Sequence, residues 1–390
     1  MITSILFTSL LLAPIPFDVI DLGCISSGDC FVSDLNESGQ VAGIGDAPNG
    51  FGLHSFIWDG NKLIHIHPLT YPNGGYCWAF GMNDFGNIVG YSSANNGQFH
   101  TFLWDGKQML DLGSPSWAAI NYSQGHDINN NGWIVGFAGA VPNDIRGYIK
   151  HDAVWDEIPT FGGVESKAFA INEINDVVGV SRNTDGILRA FGIPSGNISQ
   201  MTDLGDLGGG AAQARDVNNN RTIVGFSTIN DGNWHAFKWT LTDGMIDLGT
   251  LGGIESRAYA ISDNGVIVGE SETATGETHG FIWIDGEMFD LNNYIVPDMY
   301  INIVSAKGIN SNGEVAVTVE LVDGTKNSYL LTPMSETIPE DINGDGTVNV
   351  LDLLAVVGSW GPCKICPEDI NGDGMVDVTD LLAIISVWST

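Results

Sequence analysis

A short strand-like pattern ending in glycine recurs along most of the chain, and this recurrence constrains the fold more than any other feature. It reads Val41-Ala42-Gly43, Ile88-Val89-Gly90, Ile134-Val135-Gly136, Val177-Val178-Gly179, Ile223-Val224-Gly225 and Ile267-Val268-Gly269, with a degenerate copy at Val315-Ala316-Val317. The steps are 47, 46, 43, 46, 44 and 48 residues. Polar turns precede it, as in Asn36 to Gly39, Asn83 to Gly86, Asn129 to Gly132, Ser262 to Gly265 and Asn310 to Gly313. Asn opens such a turn and Gly supplies its positive φ, which suits a tight hairpin. A third strand follows each copy, beginning at His54, His100, His151, His235 or His279 and ending in Trp58, Trp104, Trp155, Trp239 or Trp283. A fourth carries Asp-Leu-Gly, as in Met109 to Gly113, Met201 to Gly205 and Met245 to Gly249. Four short strands per unit, with no helical period, predict propeller blades.

The ends of the repeat region suggest how the ring closes. The last repeat stops at Pro333 without a fourth strand, and Phe17 to Gly23 is an unpaired strand with the same Asp-Leu-Gly ending. Inserting the N-terminal strand into the last blade would hide an open edge. The expectation is therefore an all-β, seven-bladed β-propeller over residues 17–334, closed by the N-terminal strand.

The same motifs, clearest from Trp234 to Gly253 and from Ser256 to Gly269, resemble the HAF family of probable extracellular repeats over about 17–333. That resemblance implies a repeat architecture outside the cell and no established reaction.

Beyond a polar linker, 335–340, a second repeat begins with a period of 28 residues. Asp341, Asn343, Asp345, Thr347, Asn349 and Asp352 occupy the ligand positions of a twelve-residue calcium loop. Asp369, Asn371, Asp373, Met375, Asp377 and Asp380 occupy those of a second. The spacing puts oxygen donors at positions 1, 3, 5, 9 and 12, a backbone carbonyl at 7 and Gly at the sharp turn, so two Ca²⁺ ions are expected. Ten acids against the single Lys364 beyond residue 334 add to that expectation. Apolar helices are predicted over Leu353 to Trp360 and Leu381 to Trp388. The two half-hands resemble a type I dockerin over 341–390. The resemblance implies a small α-helical dockerin-like domain that plugs into a cohesin-like scaffold or cell-surface partner.

Charge narrows the partners. The chain has 14 Lys+Arg against 47 Asp+Glu, a formal charge of −33, and such a surface repels phosphates, so nucleic acid is excluded as an ordinary ligand. The apolar run from Ile5 to Ile15 is too short to span a bilayer and reads as the core of a signal peptide over 1–16. The chain is therefore expected to be secreted and extracellular, without a membrane span. Cys363 and Cys366 are expected to form a small structural disulfide. Cys30 has two candidate partners, Cys77 and Cys24.

Several tempting sites have plainer readings. The G-x-S triplets at Ser92, Ser181, Ser227 and Ser271 fall at one position of successive repeats and lack the second Gly of a nucleophile elbow. The five aligned histidines are spread one per repeat, which suits hydrogen bonding within each blade. The aligned tryptophans suit a core between blades. No catalytic motif is present, and the primary reading is a non-catalytic propeller for binding or display, with polysaccharide as a candidate ligand. The alternative is a component or enzyme of an extracellular polysaccharide-degrading assembly, which would need two carboxylates meeting in one place. Segments Tyr71 to Trp78 and Ser114 to Tyr122 depart from the repeat and carry aromatics able to stack on sugars.

Overall fold

The computed structural model describes residues 16–48, 50, 52–70, 74–118, 122–140, 144–295, 301–334, 340, 342, 348–363 and 366–387. The expected signal segment lies, apart from Pro16, outside them. The chain divides into two compact units, one ending at Pro333 and one beginning at Met334.

The larger unit is a β-propeller. Its repeats fold as up-and-down antiparallel strands, for example Cys77–Met82, Ile88–Ser93, Phe99–Trp104 and Met109–Gly113. The Ile-Val-Gly strand is second in each repeat and is buried on both faces. Its glycine is obligatory: a Cβ on Gly90 would sit 1.8 Å from the Trp78 carbonyl oxygen, and one on Gly179 2.0 Å from that of Lys167. Between repeats lie separate apolar clusters that include Phe102, Phe191, Phe237 and Phe281, all fully buried. Trp58, Trp104, Trp155, Trp239 and Trp283 pack in or against these clusters, as expected of them.

Seven separate blades do not form. Among the described residues five four-stranded sheets stand alone, while the third and fourth repeats merge into one eight-stranded sheet running from Ser123 to Asp203. The reason is local. At several junctions a backbone N–H on the third strand is held by a side chain on the next inner strand, as in Ser55 N to Cys77 Sγ and Thr101 N to Ser123 Oγ. At the merged junction Gly147 N bonds Ser166 Oγ in the same way, and Arg146 adds a 2.9 Å bond to the Val164 carbonyl. This second tie draws the backbones close enough for Ile145 to pair with Glu165 in parallel.

Closure uses the N-terminal strand. Phe17–Gly23 runs antiparallel to Lys326–Pro333, pairing Phe17 with Pro333 and Gly23 with Ser328. The turns add a ring of their own, because each turn asparagine donates its side-chain amide to the backbone carbonyl opening the next turn. These bonds run Asn36 to Asn83, Asn83 to Asn129, Asn129 to Asn172, Asn172 to Asn218 and Asn218 to Ser262, at 2.9–3.2 Å. Asn310 donates in the same way to Asn36, and the series is interrupted only at Ser262, where Asn264 instead donates to the Ser311 carbonyl.

The smaller unit also differs from expectation, and a dockerin-like helical domain is not supported. Its described residues form helix α1 (Val350–Gly358), helix α2 (Val378–Ser386) and a two-stranded sheet of Gly361–Pro362 with Met375–Val376. Each helix buries only one apolar side chain fully, Val356 or Ile384, and Val348 and Val376 outside the helices complete the core. Both helices start three residues earlier than their apolar pattern suggests. Asn349 and Asp377 cap them, and Asp352 and Asp380 close reciprocal capping boxes by accepting the N-cap N–H.

Candidate functional site

The inner strand of every repeat ends in one short pattern: a small residue or valine, a variable residue, then Asp, Gly or Ala, an aliphatic residue, and the Asn or Ser of the turn. The variable position reads Ser33, Phe80, His126, Phe169, Arg215, Tyr259 and Lys307. All seven line a single cavity of about 490 Å³, joined by Phe31, Trp78 and the residues of the next layer. One side chain per repeat thus points at the axis, and the layer it forms is aromatic and cationic.

Aromatic contacts hold the layer in place. His126 stacks on Phe80 at 4.3 Å, and the Arg215 guanidinium lies 4.3 Å over the Phe169 ring. Lys307 sits 3.0 Å over the ring of Tyr259, whose hydroxyl donates to Glu270 at 2.7 Å. Burial, followed by Arg215 and Lys167, pulls His126 down to about 3, so it is neutral at ordinary pH. Burial also brings Lys307 down to about 8, against the opposing pull of Glu270. Arg215 makes no ion pair or side-chain hydrogen bond among the described residues, although burial works against its charge.

The next layer alternates acids with small residues: Asp34, Gly81, Asp127, Ala170, Asp216 and Ala260, with Gly308 last. Each aspartate stitches its repeat to the following one. Asp34 accepts from Leu35 N and Met82 N, Asp127 from Ile128 N and Ile171 N, and Asp216 from Val217 N and Ile261 N, all at 2.7–2.8 Å. The small neighbours make room. A Cβ on Gly81 would lie 2.8 Å from Asp127 Oδ1, and one on Gly308 2.7 Å from the Leu35 Cβ. Burial, with repulsion from nearby acids, raises all three carboxyls, Asp127 to about 7, Asp216 to about 6 and Asp34 well above its usual value. Beyond them a smaller cavity of about 230 Å³ opens among the turns, where Glu37, Asp84, Glu173 and Asp263 make the mouth acidic. The two ends of the axis therefore carry opposite chemistry.

The residues singled out in the sequence are placed as follows. Ser92, Ser181, Ser227 and Ser271 each accept one loop N–H, from Leu69, Phe161, Leu207 and Leu251, so the triplets are structural. Four of the aligned histidines pair with a carboxylate of their own repeat: His100 with Asp111, His151 with Asp156, His235 with Asp247 and His279 with Asp290. Cys30 pairs with Cys24, Cys363 pairs with Cys366, and Cys77 is a buried free thiol. Of the two aromatic segments, Trp78 reaches the axial cavity, Trp117 packs against a core cluster, and Tyr71 lies outside the described residues.

Asp341, Asn343, Asp345 and Thr347 of the first calcium loop also lie outside the described residues. Asn349 and Asp352 serve the capping box of α1. In the second loop Asp369 accepts from Asp373 N and Gly374 N, and Asn371 accepts from Asp373 N. Asp373 accepts from Met375 N, and the fully buried Asp380 accepts from Asn371 N and Asp377 N. The acids thus turn inward on their own loop, around Gly374 at φ +88°. Among the described residues, His54, His65 and His67 form the one group of three His, Cys, Asp or Glu with donor atoms within 4.8 Å of one another.

No protein-family model matches the chain, and no curated protein matches it. Solved structures do. A puromycin-hydrolyzing peptidase from Mycobacterium tuberculosis aligns over 83% of this chain at 13% identity and a TM-score of 0.52, and the alignment spans 55% of the peptidase. The BP39L lectin from Burkholderia pseudomallei aligns over 80% of this chain and 97% of its own, at 11% identity and a TM-score of 0.44. The six-bladed β-propeller lectin of Aleuria aurantia, described for its fucose recognition, aligns over 62% of this chain and 78% of its own, at 14% identity and a TM-score of 0.36. At these identities the peptidase likeness speaks of fold alone, and the weaker lectin alignments add nothing to it. None of these neighbours supports a cohesin-like partner.

Proposed function

We propose that this protein is a secreted, non-catalytic propeller that binds carbohydrate in its axial cavity and prefers sugars bearing a carboxylate. One observation carries the reading. In a molecule of charge −33, the cavity wall holds Arg215 on an aromatic face with no ion-pair partner among the described residues. A guanidinium so placed suits two parallel bonds to a carboxylate, and Trp78, Phe80, Phe169 and Tyr259 offer rings for the sugar faces. The three axial aspartates do not read as a glycosidase pair, because both oxygens of each accept backbone N–H bonds, one from its own repeat and one from the next. The two disulfides favour an oxidising compartment. No helix among the described residues is long and apolar enough to cross a membrane.

Calorimetry with oligosaccharides of uronic acids and of neutral sugars, beside a hydrolysis panel, tests this. Uronates should bind without cleavage. Arg215→Ala should weaken them roughly 10- to 100-fold, the loss of about 1.5–3 kcal/mol in hydrogen bonds to a charged group. Equal binding of neutral sugars, unaltered by the substitution, would sink the proposal.

The C-terminal unit is proposed to bind Ca²⁺ through Asp369, Asn371, Asp373 and Asp380, with the Met375 carbonyl, and through the matching residues of the first loop. Hard carboxylate and carbonyl oxygens suit this ion, and it would replace amide protons as the partner of the loop acids. Each site should add about 2.7 kcal/mol of stability to its unit when free Ca²⁺ exceeds its Kd by 100-fold. Titration calorimetry of the full chain should find two ions, and Asp341→Ala with Asp369→Ala should leave none. Unchanged heats in that double variant would remove the assignment.

A further inference from the structure

The first repeat breaks the histidine–carboxylate pattern of the others. In the register of the sheets, Phe102 faces Asp111, Phe237 faces Asp247 and Phe281 faces Asp290, and each of these aspartates holds the histidine at the start of its third strand. In the first repeat Phe56 faces His65 instead. The Asp-Leu-Gly of the fourth strand has become His65-Ile66-His67, so both of its replaced positions carry imidazoles. His54 consequently pairs with no acid among the described residues. Its Nδ1 lies 2.8 Å from His65 Nε2, and the His65 and His67 ring centres are 4.1 Å apart.

We infer that His54, His65 and His67 bind a borderline transition-metal ion of the Zn²⁺ class. Three imidazoles, with no carboxylate in the group, suit Zn²⁺, Cu²⁺ or Ni²⁺ and are poor ligands for Ca²⁺ or Mg²⁺. In a tetrahedral site with metal–nitrogen bonds of 2.0–2.1 Å, donor atoms stand about 3.4 Å apart. His54 Nδ1 and His65 Nε2 are 2.8 Å apart and the whole set lies within 4.8 Å, so small side-chain rotations reach that geometry. Burial grades from the enclosed His54 through His65 to the exposed His67, which leaves an approach from solvent and a fourth position for water or a ligand atom. Two strands of one sheet carry His54 and His65, and a rigid ladder is a better platform than a loop for holding ligands in place. None of the three histidines lines the axial cavity.

Co²⁺ is the probe, because four-coordinate nitrogen ligation gives it a strong visible spectrum that octahedral surface ions lack. The full chain, saturated with Ca²⁺ beforehand, should take up one Co²⁺ with that spectrum and release it to Zn²⁺. His67→Gln, at an exposed position, and His65→Asn should each weaken Co²⁺ roughly 100-fold or more while leaving the thermal melt of the ion-free protein in place. His100→Gln, in the neighbouring repeat, should change nothing. Absence of the tetrahedral spectrum, or its persistence in His67→Gln, would overturn the inference.

Discussion

A chain lacking residues 1–23 is expected to give little soluble native protein, whereas one lacking residues 1–15 should melt like the intact chain. The strand Phe17–Gly23 is the outer partner of Lys326–Pro333, and without it that strand becomes an open edge ready to pair with another molecule. Phe17 and Leu22 are buried in two different clusters, and Tyr329 donates to Asp21 at 3.2 Å. Losing the two apolar side chains alone costs about 1.5–3 kcal/mol each. That is a large share of the 5–15 kcal/mol typical of a folded domain. Yield, light scattering and thermal melting of the two truncations measure the difference. Equal melting would show that the ring does not depend on its closing strand.

Replacing Asp127 by Asn should change stability in a strongly pH-dependent way. Its carboxyl is raised from 3.8 to about 7, chiefly by burial. For an acid, a raised folded-state value means that the native protein holds a proton the unfolded chain has released. The penalty is therefore absent below about pH 4, grows as pH rises and is complete above about 7. A displacement of this size corresponds to roughly 4 kcal/mol. Asn keeps one acceptor oxygen for either Ile128 N or Ile171 N and carries no charge. Hence the melting temperature of the variant, relative to the parent at the same pH, should be highest at pH 8 and fall steadily towards pH 4. A difference that is flat across this range would mean that the carboxylate is not destabilised where it sits. Comparing variant with parent is essential, because His126, depressed to about 3, works in the opposite direction below about pH 6.5 in both proteins.

Much of the ring was legible in the repeats, since strand order, closing strand and turn type follow from spacings and from glycines that tolerate no side chain. The merged sheet was not. It depends on Arg146, whose reach to the Val164 carbonyl is a matter of three-dimensional proximity that no spacing encodes. The helix starts were misjudged for a related reason. Asn349 and Asp377 read as calcium ligands, and their second role as N-caps draws the first turn back over them. The axial site had a signal that alignment of the repeats would expose: one position varies from Ser33 to Lys307 between a small residue or valine and Asp, Gly or Ala. Variation inside a constant frame marks a surface that the fold does not dictate. The histidine group was visible in the same way, as the one Asp-Leu-Gly strand written with two imidazoles. Its third member, His54, was masked by sharing its register with four histidines that only pair with acids.

The alternation of acids and small residues around the axis has a consequence for anyone wishing to re-engineer the ring. Every aspartate needs a neighbour without a bulky side chain on each flank, because a single added methyl on Gly81 or Gly308 already collides. Repeats are therefore not interchangeable singly. Cutting out the one that carries Gly81 would set Asp34 against Asp127, two charges without the space between them. The unit of exchange is a couple, an acid-bearing repeat with the small-bearing repeat it is stitched to. Grafts or duplications made in such couples preserve the stitching, and those made one repeat at a time break it.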